Sequence, residues 1–218
     1  MERLERLVVH VEEAVRLGTM TDEAHLRLGL MLLDSAAELL MHRQCEWLLN
    51  EAEMYRRLLG NAQAMYDATG KGAEAIAEYR AKALSSTRIK KIEHDFNAKC
   101  DYLRERGLLA APQVRILKKL HKYRNETRHR DELRPATLAS AAKIYIYLVC
   151  SMMRDFPVYM MVLPWDSEPP SALARYLTDD ECGSGLLAVG TELQARIATR
   201  LLNESGVAEP AQLGQALR

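Results

Sequence analysis

Apolar residues in this chain recur at intervals of three and four, and no stretch alternates apolar with polar as a strand does. Leu4, Leu7, Val8, Val11 and Val15 open the sequence on that period, which lines one face of a helix. A second helix starts near Thr21-Asp22 and carries Leu26, Leu28, Leu30, Leu33, Ala37, Leu40 and Met41 towards Leu59, with Gly60 placed to cap it. Residues 61–72 read as a connection, although Ala62 to Ala68 suits further helical turns. A third helix is expected over Ala73 to Arg106, broken near Ser85-Ser86-Thr87 and stopped by Gly107.

Proline sets the next boundaries. Pro112 suits the first turn of a fourth helix with Val114, Ile116, Leu117 and Leu120 as its apolar stripe. Pro135 opens a fifth, Ala136 to about Arg154, which is apolar around most of its circumference and is therefore expected at the centre. Pro164 and Ser167-Glu168-Pro169-Pro170 read as a linker. Beyond it, Thr178 and Glu181 form a capping box ahead of a helix expected from about Gly183 to Asn203. The fold class is all-α: a bundle over residues 1–165, with 166–218 as linker and appended C-terminal helical segment.

A 48% hydrophobic content is ample for a core. Thirty basic residues balance thirty acidic ones, so no global field draws the chain to a polyanion or a membrane, and any anion site must be local. Cys45, Cys100, Cys150 and Cys182 are far apart, without metal spacing, and read as buried thiols in a reducing cytosol. The N-terminus is charged from its second residue and reads as an amphipathic helix rather than a signal peptide. The most apolar stretch, Ile144 to Trp165, is interrupted by Arg154, Asp155 and Pro157. The expectation is a cytoplasmic protein with no membrane span.

Charge is concentrated in one place. Lys118, Lys119, Lys122, Arg124, Arg128 and Arg130 stand against a lone Glu126, and the run contains Arg124-Asn125-Glu126-Thr127-Arg128-His129. Arginine presents a fork of donors matched to two phosphate oxygens, and histidine exchanges a proton near neutral pH. Spacing alone is weak: Arg3/His10, Arg88/His94 and Arg115/His121 have similar separations. Three features distinguish Arg124/His129. A polar amide, Asn125, follows the arginine; the surroundings are strongly positive; and a helix must end before Pro135. Five residues of regular helix put two side chains about 140° apart, so a turn at the helix end is expected to bring His129 round towards Arg124. His121, Arg124 and Arg128 share one face at i, i+3 and i+7. That face suits an RNA backbone, and equally suits cations that cover the C-terminal half of a helix, where the macrodipole favours them.

Arg124-Asn125, four residues and then His129 resemble the RNxxxxH motif of the HEPN (higher eukaryotes and prokaryotes nucleotide-binding) domain. The stretch from Ile92 to Phe96, Tyr102-Leu103, Gly107-Leu108 and Leu117 to Leu120 is similar to the helix pair before that motif. The apolar helix after Pro135 looks like the family's last core helix. The resemblance covers roughly residues 20–160 and implies a bundle of four to five core helices. It also implies a metal-independent endoribonuclease in which the ribose 2′-hydroxyl attacks the adjacent phosphate, with no cofactor and no metal. Arg124 would neutralise the phosphate, His129 would move the proton and Asn125 would position one of them, while Lys118, His121, Lys122, Arg128 and Arg130 would hold the RNA. The resemblance further implies a homodimer with a composite site, a toxin or antiviral role, and an antitoxin or nucleotidyltransferase partner. One departure stands out: Asp131 occupies the place where some family toxins carry a tyrosine that their partner modifies.

The alternatives are a non-catalytic HEPN-like RNA-binding protein and a dimeric helical adaptor. A transcription regulator ranks last, because no compact helix-turn-helix pattern is present. Asp34, Glu38 and His42, at i, i+4 and i+8, read as helix-surface ion pairing rather than a metal ladder. The Met and aromatic residues from Tyr145 to Trp165 read as core and dimer interface, with base stacking by Tyr145 and Tyr147 as the minor alternative.

Overall fold

The computed structural model describes residues 2–129, 135–157, 161–164, 171–183 and 186–208. They form an all-α fold in two compact units, Met41–Arg106 and the remainder, Met1–Leu40 with Gly107–Arg218. The helix α1 (Glu2–Gly18) precedes α2 (Glu23–Thr69), which contributes to both units. The smaller unit adds α3 (Ala73–Lys82), α4 (Ser86–His94) and α5 (Phe96–Glu105). The larger adds α6 (Ala111–His129), α7 (Pro135–Asp155), the short α8 (Ser171–Ala174) and α9 (Asp179–Gly183), and α10 (Thr191–Ser205). Its β1 (Met161–Pro164) and β2 (Leu186–Val189) pair antiparallel, Met161 against Val189 and Pro164 against Leu186.

In the larger unit the period-based stripes are the core. Leu4, Leu7, Val8, Val11 and Val15 of α1 are all buried, as are Leu26, Leu30, Leu33 and Ala37 of α2, whereas Leu28, expected on the same stripe, is exposed on the opposite side of the helix from Leu30. On α7, every residue from Ile144 to Met153 is buried, and the helix packs against α1, α6 and α10. Among the described residues it is the one helix long and apolar enough to cross a membrane, and most of that length is covered by the protein's own interior. The crossing of α1 and α2 is tight. A Cβ on Gly29 would lie 2.5 Å from the backbone nitrogen of Gly18, so only glycine permits this approach.

Several boundaries differ from the sequence expectation, each for a local reason. Helix α2 runs straight through Gly60 and ends at Gly70, whose φ of 68° is the left-handed cap. Strong helix formers after Gly60 outweigh the roughly 1 kcal/mol that an interior glycine costs. The break at Ser85 is present, with its hydroxyl accepting from the Arg88 amide at 3.3 Å. A second break occurs at Asp95, which ends α4 and caps α5 by accepting from the Ala98 amide at 2.6 Å. The Thr178–Glu181 capping box forms, but it opens only the five-residue α9. The helix expected from Gly183 begins at Thr191, and the apolar run Leu186–Val189 is strand. Four residues are too few for a period to register.

The described part of the C-terminal segment packs into the larger unit. Leu193, Ile197, Ala198 and Leu201 of α10 are buried, and α10 packs along α7 and α1. Tyr176 is buried and donates its hydroxyl to Glu12 of α1 at 2.6 Å, while Arg175 pairs with Glu12 and Glu204. Arg196 joins Glu181 and the Tyr176 carbonyl.

Candidate functional site

The site begins with a charged residue in the wrong place for a simple core. Asp34 lies on the buried face of α2, between Leu33 and Ala37, and is fully inaccessible. A buried carboxylate must find donors, and three arrive from two other helices. Tyr145 of α7 donates its hydroxyl to Oδ1 at 2.5 Å. His121 of α6 places Nδ1 2.9 Å from Oδ1 and 3.1 Å from Oδ2. Arg124, one turn further along α6, donates Nε to Oδ2 at 2.7 Å, and a terminal guanidinium nitrogen joins the same oxygen.

The local sequence accounts for this convergence. Val114, Leu117 and Leu120 turn one face of α6 into the core, and His121 and Arg124 flank that face at i and i+3. Tyr145 is presented by the buried length of α7. His121 and Arg124 keep 20% and 19% of their side chains exposed, against none for Asp34. The cluster therefore has a dry anchor and a wetter rim.

Its electrostatics follow from that arrangement. Burial is the largest single influence on Asp34 and pushes its pKa up. Hydrogen bonds from His121, Tyr145 and Arg124, with the charge of His121, together outweigh it and hold the carboxyl below the usual carboxylate range. An ionised carboxylate accepts only, so the Nδ1 facing it carries a proton. Arg124 is aligned by its Nε edge, which fixes the plane of the guanidinium.

Other motif residues are placed differently. Asn125 and Lys122 are exposed, and Lys118 is partly buried. Helix α6 stays helical through His129, so no turn intervenes between Arg124 and His129, and the backbone keeps their positions about 140° apart around the axis. The side chains of Arg128 and His129, and all of Arg130 and Asp131, lie outside the described residues. The shared face of His121 and Arg124 is observed, but it is a part-buried pair anchored on a carboxylate rather than an exposed basic ridge.

The remaining histidine matches dissolve. His10 Nε2 sits 3.0 Å from the Leu32 carbonyl oxygen, and Arg88 pairs with Glu105. His121 matches Arg115 by spacing yet joins Arg124, because Arg115 is exposed. Asp34 is not a surface ion-pair partner, and Tyr145 and Tyr147 are buried and unable to stack on a base. Burial pushes the Tyr123 phenol pKa up, and its buried hydroxyl has no hydrogen-bond partner. Cys45, Cys100 and Cys150 are buried and outside any disulfide, with the Cys100 thiol donating to the Met41 sulfur at 3.6 Å; the Cys182 side chain lies outside the described residues. Among the described residues no group of three His, Cys, Asp or Glu side chains is arranged to hold a metal ion.

The role of Asp34 and Tyr145 was hidden from the sequence because Asp34 meets Arg124 across 90 residues of chain and Tyr145 across 111. One signal was available: an aspartate in the middle of an apolar stripe. No protein-family model, curated protein or solved structure matches this chain.

Proposed function

We propose that the chain is a metal-independent endoribonuclease of the HEPN type, acting in the cytoplasm as a toxin or antiviral defence effector. The observation that carries this reading is the inaccessible Asp34 carboxylate, which aligns Arg124, the first residue of the Arg-Asn-x4-His segment, and His121, one turn before it, at a part-exposed rim. Burying an ionised carboxylate costs several kcal/mol before its partners compensate. An apolar residue would fill a core position without that cost, so such clusters concentrate where chemistry needs fixed donors.

In this proposal Lys118, Lys122, Arg128 and Arg130 draw in the RNA backbone. Arg124, held by Asp34 at Nε and one terminal nitrogen, turns the outer end of its guanidinium to the scissile phosphate, where negative charge develops. The ribose 2′-hydroxyl is an internal nucleophile, already adjacent to the phosphorus. His129 moves the proton and Asn125 orients the phosphate or its neighbour. A homodimer brings two such motifs together, and an antitoxin or nucleotidyltransferase partner restrains them.

One observation favours a non-catalytic adaptor instead. Trp47, Met54 and Met65 are exposed on α2, and separations of seven and eighteen residues return to nearly one line of a helix. Such a stripe suits a protein partner.

The test is incubation of the purified protein with total RNA in EDTA, beside Arg124→Ala, Arg124→Lys and His129→Ala. The proposal expects cleavage by wild type, and loss in all three variants; Arg124→Lys keeps the charge but not the fork. Cleavage that survives Arg124→Ala and His129→Ala, or none by wild type, overturns it.

A further inference from the structure

We infer that His121 is a second proton-transfer residue of this site, with Asp34 as its positioning residue. The inference rests on the ribonuclease reading and extends it. Each copy of the motif supplies one histidine, set about 140° from Arg124 on its own helix, whereas transesterification moves two protons, one from the attacking 2′-oxygen and one to the departing 5′-oxygen.

His121 lies one turn before Arg124 on the same face of α6, and both meet one carboxylate. A base beside the phosphate-binding fork is where the chemistry requires it. Its Nδ1 faces Asp34 at 2.9 Å, so the proton on that nitrogen is held and proton traffic passes through Nε2. Tyr145 donates to the same carboxylate oxygen that His121 approaches most closely, which fixes the orientation of Asp34 in turn. The carboxylate that faces the imidazole is thus shared with Arg124 from the same helix and the Tyr145 hydroxyl from α7.

The step balances as follows. Neutral His121 takes the 2′-hydroxyl proton at Nε2 as the 2′-oxygen bonds to phosphorus. The bond between phosphorus and the 5′-oxygen breaks, and the imidazolium of His129 from the second copy of the chain in the proposed homodimer protonates the leaving oxygen. The products are a 2′,3′-cyclic phosphate and a 5′-hydroxyl. The imidazolium formed at His121 lies against the Asp34 carboxylate, which stabilises it.

The experiment has two arms on the full chain. In the first, ¹⁵N spectra of the histidine rings, with His121 assigned by its loss in His121→Asn, report which nitrogen carries the proton. The neutral ring of wild type is expected to be protonated at Nδ1, and in Asp34→Asn that preference is expected to weaken. In the second, total RNA in EDTA is the substrate for His121→Asn, whose amide reaches the Nδ1 position and keeps the bond to Asp34 without exchanging a proton. Cleavage is expected to fall at least about a hundredfold, with the thermal midpoint near that of wild type. An Nε2-protonated neutral ring overturns the inference. Cleavage retained in His121→Asn but abolished in Arg124→Ala and His129→Ala overturns it alone, and leaves the ribonuclease reading standing. RNA left intact by wild type overturns both.

Discussion

Replacing Asp34 tests whether the cluster on α2, α6 and α7 is a built electrostatic unit. Asp34→Ala removes the common acceptor of Tyr145, His121 and Arg124. It leaves a guanidinium that is four-fifths covered facing a cavity. Removing one partner of a buried, hydrogen-bonded ion pair costs about 3–5 kcal/mol. Asp34→Asn keeps the shape and one carbonyl acceptor but turns an amide NH2 towards donors, for a loss of about 2–3 kcal/mol. For a chain of this size each kcal/mol moves the thermal midpoint by about 2–4 °C.

The pH dependence provides the sharper check. The folded-state pKa of Asp34 is lowered, so its contribution is fully present above the unfolded carboxylate value of about 3.9 and is lost as pH falls through the folded pKa. Urea unfolding of wild type and Asp34→Asn should therefore show a gap at neutral pH that closes in strong acid. Equal stabilities at pH 7 within about 0.5 kcal/mol, or a gap that fails to close in acid, would refute the reasoning.

Tyr145→Phe deletes one hydroxyl bonded to a carboxylate and should cost about 1.5–3 kcal/mol in urea unfolding, with the far-ultraviolet helical signal unchanged. Gly29→Ala places a Cβ against the Gly18 backbone and should lower stability by at least about 1–3 kcal/mol, read as a lower denaturation midpoint. Burial pushes the Cys45 and Cys150 thiols up to about 12, so neither should react with a disulfide reagent at pH 8 until denaturant is added.

Local pattern carried the fold further than the site. The α1 stripe, the central α7, the break at Ser85 and the Thr178–Glu181 box could be read because each is a relation among residues within a few turns. The length of α2 was misjudged because Gly60 looks like a cap when neighbouring propensity is not summed. Asp95 was missed because one N-capping aspartate inside a long apolar period is quiet. The β1–β2 ribbon and the docking of α10 depend on pairings distant in sequence. At the site, Arg124 drew attention through its neighbours, and His121 through its face. Asp34 and Tyr145, which hold those two, belong to helices whose local patterns describe only burial. An aspartate that stays fully buried among Leu30, Leu33 and Ala37 marks a relation that hydrophobic periodicity does not encode.

The most direct measurement is the chemistry of RNA ends produced in EDTA. If Arg124 binds the phosphate while a histidine activates the 2′-hydroxyl, wild type leaves 5′-hydroxyl and 2′,3′-cyclic phosphate ends, and Arg124→Ala leaves the RNA whole. Intact RNA with wild type, or fragments bearing 5′-phosphates, would contradict the account.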